Sequence, residues 1–211
     1  MSTPILAAHN SQAMNRALKL LQAGKLVIVP TETVYGLAAR PDHRAALDKV
    51  YAIKKREAQK ALIAHVDGLA MAEQLAELNE LARQLIAAFW PGPLTLIVPK
   101  KVNELIDPIA SGGLEAIALR CPDHDFTREL ITRLGTPLLA PSANLAGQAP
   151  PTRVEDISPL IADGADLIID GGSCRIGQAS TLLDLWPEQA VILRQGALSR
   201  EELEKVSGPL G

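Results

Sequence analysis

Four short segments of this sequence hold side chains whose types and spacing could do chemistry. Lys54 and Arg56, with Lys60 soon after, put three cations in one short stretch. An ammonium is a point charge and a guanidinium a planar fork, so the set suits phosphate. The plain structural alternative is a helix whose C-terminal dipole favours cations. Ser142 and Asn144 sit in Leu139-Ala140-Pro141-Ser142-Ala143-Asn144, where they serve either a polar ligand or ordinary turn chemistry. Arg120 follows Ile117-Ala118-Leu119, and Arg194 follows Val191-Ile192-Leu193. A guanidinium at the end of an apolar strand is poorly hydrated and needs an anion. That anion is either an acid of the protein, with Glu115, Asp123 and Asp125 nearest Arg120 in sequence, or a ligand carboxylate or phosphate. Thr33 in Pro30–Gly36 and Ser180 ahead of Thr181 offer hydroxyls, and His65 interrupts the apolar run Leu62–Val66. A lone histidine there is a hydrogen-bonded core residue or a ligand contact.

The elements that must position these groups alternate along the chain. Helices are expected over 11–23 (Ser11 as N-cap, Gly24 as stop), from Asp42 to about Lys55, over 79–90 and over 125–134, the last stopped by Gly135. Thr152 and Glu155 have capping-box spacing, as do Ser199 and Glu202 ahead of a short terminal helix. Strands are expected over 26–29, 62–66, 94–98, 116–119, 138–140, 167–169, 181–185 and 191–193. This alternation implies a single-domain α/β fold, a twisted mixed sheet with flanking helices. Most of the polar candidates then fall at strand ends, where open α/β sheets place ligands.

Composition narrows the functional classes. A chain of 211 residues, 47% hydrophobic and 21% charged, closes a core, which excludes global disorder. No apolar run reaches the ~18 residues that span a bilayer, so no membrane partner is expected. Met1–Asn10 has no secretory pattern, and Cys121 and Cys174 read as reduced thiols, so the expected location is cytoplasmic. His9, His43, His65 and His124 are too scattered for a metal motif. The formal net charge of −3 argues against a general nucleic-acid coat. Between 40 and 60, however, Arg40, Arg44, Lys49, Lys54, Lys55, Arg56 and Lys60 outnumber Asp42, Asp48 and Glu57. A focused anion site fits that cluster, and so does a solvated helix face. No P-loop, GxGxxG, GxSxG, HExxH or CxxC pattern occurs.

The segments PTETVYGLAA, KKR with LIAHV, FWPGPLTLIVPK, IALRCP, APSANLAG and STLLDL…VILRQGAL, in that order from about Gly24 to Ala197, resemble the YrdC/TsaC family of threonylcarbamoyl-AMP synthases. The resemblance implies a concave basic cavity and a nucleotidyl transfer that joins L-threonine, bicarbonate and ATP into threonylcarbamoyl-AMP and diphosphate. That product serves modification of tRNA adenosine 37. The family's KxR…SxN signature falls on Lys54, Arg56, Ser142 and Asn144, which with Lys60 and Arg194 are the implied ATP contacts. Lys54 and Arg56 carry the implied catalytic electrostatics, and Mg²⁺ accompanies ATP as cofactor. Thr33, His65, Arg120 and Ser180 are the implied threonine contacts. Glu57 and Ala61 stand where the family usually has proline. Implied partners are the three substrates and, functionally, the downstream threonylcarbamoyl transferase complex. The alternative reading is a non-catalytic RNA-binding relative that uses the same concavity for tRNA or double-stranded RNA.

Overall fold

The computed structural model describes residues 3–57, 60–102 and 105–211. Its strands form two mixed sheets. A four-stranded sheet runs in the order β1 (Ile5–Ala7), β8 (Leu167–Asp170), β2 (Val27–Val29), β3 (Gly36–Ala38). A six-stranded sheet runs β10 (Val191–Arg194), β9 (Thr181–Asp184), β5 (Leu94–Pro99), β6 (Ala116–Arg120), β4 (Ile63–His65), β7 (Leu138–Leu139). In the first sheet β8 runs parallel to both β1 and β2, while β3 is antiparallel to β2. In the second, β4 is parallel to β6 and β5 to β9, and the other pairings are antiparallel.

The edges β3 and β7 lie side by side. Ala39 and Leu139 exchange N–H···O bonds of 3.0 Å in both directions, and Leu37 N–H donates to Pro141 O at 2.8 Å. Ala143 N–H closes the run on Tyr35 O at 2.8 Å. Pro141 has no N–H to return, so regular pairing breaks there and only isolated bridges continue. The single mixed sheet expected from the sequence is thus two mixed sheets sewn along this short antiparallel seam. Gly36 permits the approach: a Cβ there would sit 3.2 Å from Ala140 Cβ and 3.3 Å from Ala140 O.

The helices follow their apolar spacing. α1 (Ala13–Gln22) buries Ala13, Ala17 and Leu21, one helical face. It starts later than expected because Asn10 Oδ1, not Ser11, accepts the first free N–H, that of Gln12. α2 (Arg44–Lys54) likewise starts after Asp42 and ends at Lys55, the one described non-glycine residue with positive φ, at 50°. α4 (Glu80–Phe89) is capped by Asn79 Oδ1 accepting from Ala82 N–H at 2.8 Å. α5 (Asp125–Leu134) stops at Gly135 with φ 67°. α7 (Arg200–Ser207) has the Ser199–Glu202 capping box that its sequence announces. The Thr152–Glu155 box does not form: Thr152 Oγ1 donates to Asp156 instead, at 3.0 Å, beside a 3₁₀ turn at Val154–Asp156. α6 (Pro159–Gly164) begins only at Pro159, behind Ser158. Strands β1 and β3, helix α3 (Leu69–Leu75) and a 3₁₀ turn at Pro108–Ser111 are additional to the expected elements. α1 packs against α5, α2 against α6 and α4 against α7. No helix among the described residues is long and apolar enough to cross a membrane.

Gly36→Ala forces a methyl into the seam where neighbouring backbone cannot recede freely. A loss of about 1–3 kcal/mol is expected from such overpacking, read as a lowered melting temperature. A melt unchanged from wild type would show that the seam has slack.

Candidate functional site

Two hollows adjoin at the seam. One, of about 280 Å³, is lined by His65, Arg120, Ser180 and Arg194 among others. The other, of about 290 Å³, is lined by Lys54, Arg56 and Lys60. Ser142 and Asn144 line both. The seam places β3 and its preceding loop against the loop that follows β7, so the PTETVYG and APSAN segments meet. Nine of the ten residues singled out in the sequence therefore surround one continuous concavity. The exception is Thr33. It is fully buried and lines neither hollow, and its hydroxyl lies 2.9 Å from that of Thr31. Thr31 does line the cleft, and its hydroxyl donates to Val34 O at 2.7 Å, which holds the loop in a tight turn. The repeated Thr-x-Thr was the available signal, but spacing alone does not say which threonine faces in.

Lys54 is 2% exposed. Its ammonium donates to Ser142 O and to Asn144 O, the latter at 2.6 Å, while Ala146 N–H donates to Lys54 O at 3.1 Å. It therefore struts the Ser142–Ala146 loop against the end of α2. Burial, with the neighbouring Arg56 charge, pulls its pKa down to about 8. Arg56 braces its own loop by donating from Nη2 to Ala61 O at 2.9 Å. Lys60 is open and only loosely paired with Glu57, at 3.5 Å. Asn144 Nδ2 donates to Leu145 O at 3.0 Å and Gln148 O at 2.6 Å, which leaves its buried Oδ1 without a partner.

The hollow that holds Arg120 draws polar side chains from β4, β6, β10 and the residue just ahead of β9. Register sets His65 directly opposite Arg120. Burial and the Arg120 charge push the His65 pKa down to about 3, so the imidazole is neutral at neutral pH. Its Nδ1 has no hydrogen-bond partner. Ser180 Oγ lies 2.7 Å from Thr95 Oγ1. Arg194 reaches Ser180 through Nε and Nη2, at 3.2 and 2.9 Å from its carbonyl. A β-bulge makes that reach: Ile192 pairs with Leu183 but Arg194 with Leu182, so Leu193 is an extra residue. Partial burial, then Arg120 and Arg56, lower the Arg194 pKa from its ordinary value, which shows three guanidinia sharing one field. Gly196 packs flat on this wall: a Cβ there would meet Ala179 O at 2.3 Å.

Arg120 is 4% exposed, and its acid is none of those nearest in sequence. Glu115 faces Lys100, Asp123 faces Arg175 and Asp125 faces Arg128. Arg120 Nη2 instead lies 2.7 Å from Oε1 of Glu32, which is brought in from the loop after β2. The pairing is thus with an acid of the protein, but with none of the three nearest in sequence, and Glu32 was not among the residues singled out there. No cluster of three or more metal-ligating side chains occurs among the described residues. The Lys54–Lys60 hollow is cationic, with Glu57 as its one acid. These residues do not form a cage for Mg²⁺.

Residues 19–196 match the Sua5/YciO/YrdC family model, which carries the description "Telomere recombination". The chain is 41% identical over 195 residues to a threonylcarbamoyl-AMP synthase of Pyrococcus abyssi, covering 92% of this chain and 57% of that protein. It is 39% identical over 202 residues to a threonylcarbamoyl-AMP synthase of Bacillus subtilis, covering 95% and 58% respectively. The chain thus spans somewhat over half the length of these relatives. The crystal structure of P. abyssi Sua5 complexed with L-threonine has the same fold, with TM-score 0.92 and 38% identity over 100% of this chain and 62% of that one.

Lys54 yields a pH dependence. Its folded pKa of about 8 lies below the ordinary lysine value of 10.5. Between those values the unfolded chain holds a proton that the folded chain has released, so this group's contribution to stability rises with pH there and is lost as pH falls through about 8. A bound polyanion favours the ammonium, so tripolyphosphate affinity should fall as pH rises through about 8, with proton uptake in calorimetry. Lys54→Met should remove that step and cost about 1–3 kcal/mol, because two carbonyls lose their donor. A step that survives in the variant would assign the titration to another group.

Proposed function

The chain belongs to the Sua5/YciO/YrdC family, and from that premise we propose that it is a threonylcarbamoyl-AMP synthase. In this reading it converts L-threonine, bicarbonate and ATP into L-threonylcarbamoyladenylate and diphosphate. The observation that carries the reading is the paired hollow. A cationic half built on Lys54, Arg56 and Lys60 shares the Ser142–Asn144 wall with a half that holds Arg120, neutral His65 and Ser180. Two substrates bound in these halves would present their reacting ends across that wall. The relatives named threonylcarbamoyl-AMP synthase, and the relative complexed with L-threonine, support the same assignment.

The chemistry asks for alignment and charge neutralisation. The threonine amine and bicarbonate combine to a carbamate with loss of water. A carbamate oxygen then attacks the α-phosphorus of ATP, the bond to the bridging oxygen breaks, and diphosphate leaves. Arg56, Lys60 and Arg194 neutralise the phosphates and hold them in line. Lys54 contributes by fixing the wall that carries Ser142 and Asn144, since its ammonium is committed to their carbonyls. His65, with its pKa near 3, is a weak base at neutral pH. It acts as a neutral imidazole in the cleft wall beside the amine. Arg120 takes the threonine carboxylate and Ser180 lies at the substrate wall. Mg²⁺ bound to ATP would shield phosphate charge beside Arg56, Lys60 and Arg194. The product is a mixed anhydride, suited to hand its carbamoyl group to a tRNA adenosine in a later transfer.

Diphosphate release is the direct test. It should require L-threonine and bicarbonate together, and L-valine should support it at least about tenfold less well. A site that pairs a hydroxyl leaves buried polar groups unsatisfied when the hydroxyl is absent. Release that is indifferent to threonine, or equal with valine, would overturn the reading.

A further inference from the structure

Glu32 is 2% exposed, and neither of its carboxylate oxygens has an aligned hydrogen-bond donor. Its ion-pair partner among the described residues is Arg120, 2.7 Å away. Arg120 is nearly as deep and donates one aligned hydrogen bond, from Nε to Gly92 O at 3.2 Å. The guanidinium is therefore held at two points: the Gly92 carbonyl faces Nε and Glu32 faces Nη2. Nη1 is left over, and Arg120 lines the cleft beside His65 and Ser180.

A pair of this kind is a poor device for stability alone. Burying two charges costs much of what their attraction returns unless further hydrogen bonds complete the shell, and apolar residues often do as well. Here the shell is not complete on either side. What the geometry does supply is direction. A guanidinium with one anchor swings about it, whereas one anchored at Nε and Nη2 presents a fixed remaining edge.

We propose that Glu32 is the positioning residue of the amino-acid half of the site: by holding Arg120 Nη2 against the interior, it aims the Nη1 edge into the cleft to receive a ligand carboxylate. The inference rests on the reading above, in which that carboxylate is threonine's. It adds a residue that does not line the cleft and acts only through Arg120. The loop after β2 thereby has two duties. Thr31 faces the ligand, and Glu32, one residue on, faces the back of the residue that binds it.

The test compares wild type, Glu32→Gln and Glu32→Asp by diphosphate release and by calorimetry with L-threonine and with ATP. The amide keeps the shape and can still accept from Arg120, but it loses the charge. The aspartate keeps the charge but withdraws it by one methylene. Glu32→Gln should raise the threonine KM by about tenfold or more while the ATP KM stays within about twofold, and Glu32→Asp should fall between. A threonine KM within about twofold of wild type in Glu32→Gln, whatever the melting temperature does, would make the pair structural and overturn the proposal. So would a parallel rise in both KM values. If only Glu32→Asp folds, the same criterion applies to it. Wild type that takes up no threonine in calorimetry would instead sink the functional reading and this inference with it.

Discussion

A handful of backbone hydrogen bonds between Tyr35–Ala39 and Leu139–Ala143 joins this molecule's two sheets edge to edge. Backbone pairing fixes relative position to within a fraction of an ångström, because each N–H has one acceptor within reach. The seam therefore sets the distance between the loop after β2 and the loop after β7. The site contacts made by those two loops presuppose that distance. The Lys54 ammonium can reach the Ser142 and Asn144 carbonyls only because the second loop is already docked. The seam also explains the shape. Pro141 interrupts the regular ladder, isolated pairing continues past it to Ala143 and Tyr35, and the cleft opens beside this run, against His65, Arg120, Ser180 and Arg194.

The concavity's charge has an unusual arrangement. Cations dominate it, yet Lys54 and Arg120, the two most deeply buried, are turned partly toward the protein's own carbonyls and carboxylate. The more open Lys60 and Arg194 are where solvent and ligand can meet them. A buried cation committed in this way does not pull on a ligand with its full charge; it organises the wall that the ligand meets. The open cations supply the attraction, which salt screens. Recruitment and organisation of the ligand are thus divided between different residues of the same charge.

Much of this was legible in the sequence where the physics is local. Asn79, Gly135 and the Ser199–Glu202 box mark helix ends because a cap is satisfied within a few residues. The strand-terminal position of Arg120 and Arg194 follows from the apolar runs before them, and nine of the ten candidate side chains share the concavity. Partners across the fold were not legible. Glu32 and Arg120 are far apart in the chain, and nothing near either one announces the other. The acids close to Arg120 in sequence are drawn to surface cations instead. Short strands such as β1 and β3 escape notice because three residues carry too little alternation to read. Thr33 was named from the family resemblance, and the sequence could not show that Thr31 is the residue that lines the cleft: alternation breaks down in a turn, so the inward residue depends on hydroxyl bonding within the loop.

The bulge at Leu193 reaches beyond its own strand. Paired residues share a face of the sheet, and Ser180 and Leu182, two apart, lie on the same one. In an unbroken strand Ile192 and Arg194 would both follow Leu183, on the opposite face from Ser180. The one extra residue carries Arg194 across to Ser180's side, where the structure has it. What matters at position 193 is therefore the count of residues more than their kind. Its side chain points outward and is 56% exposed, so exchanges there are cheap. Removing the residue would put Arg194, the last of that strand, on the other face and take a guanidinium out of the cleft. At this position the spacing constrains the chain more than the side chain does.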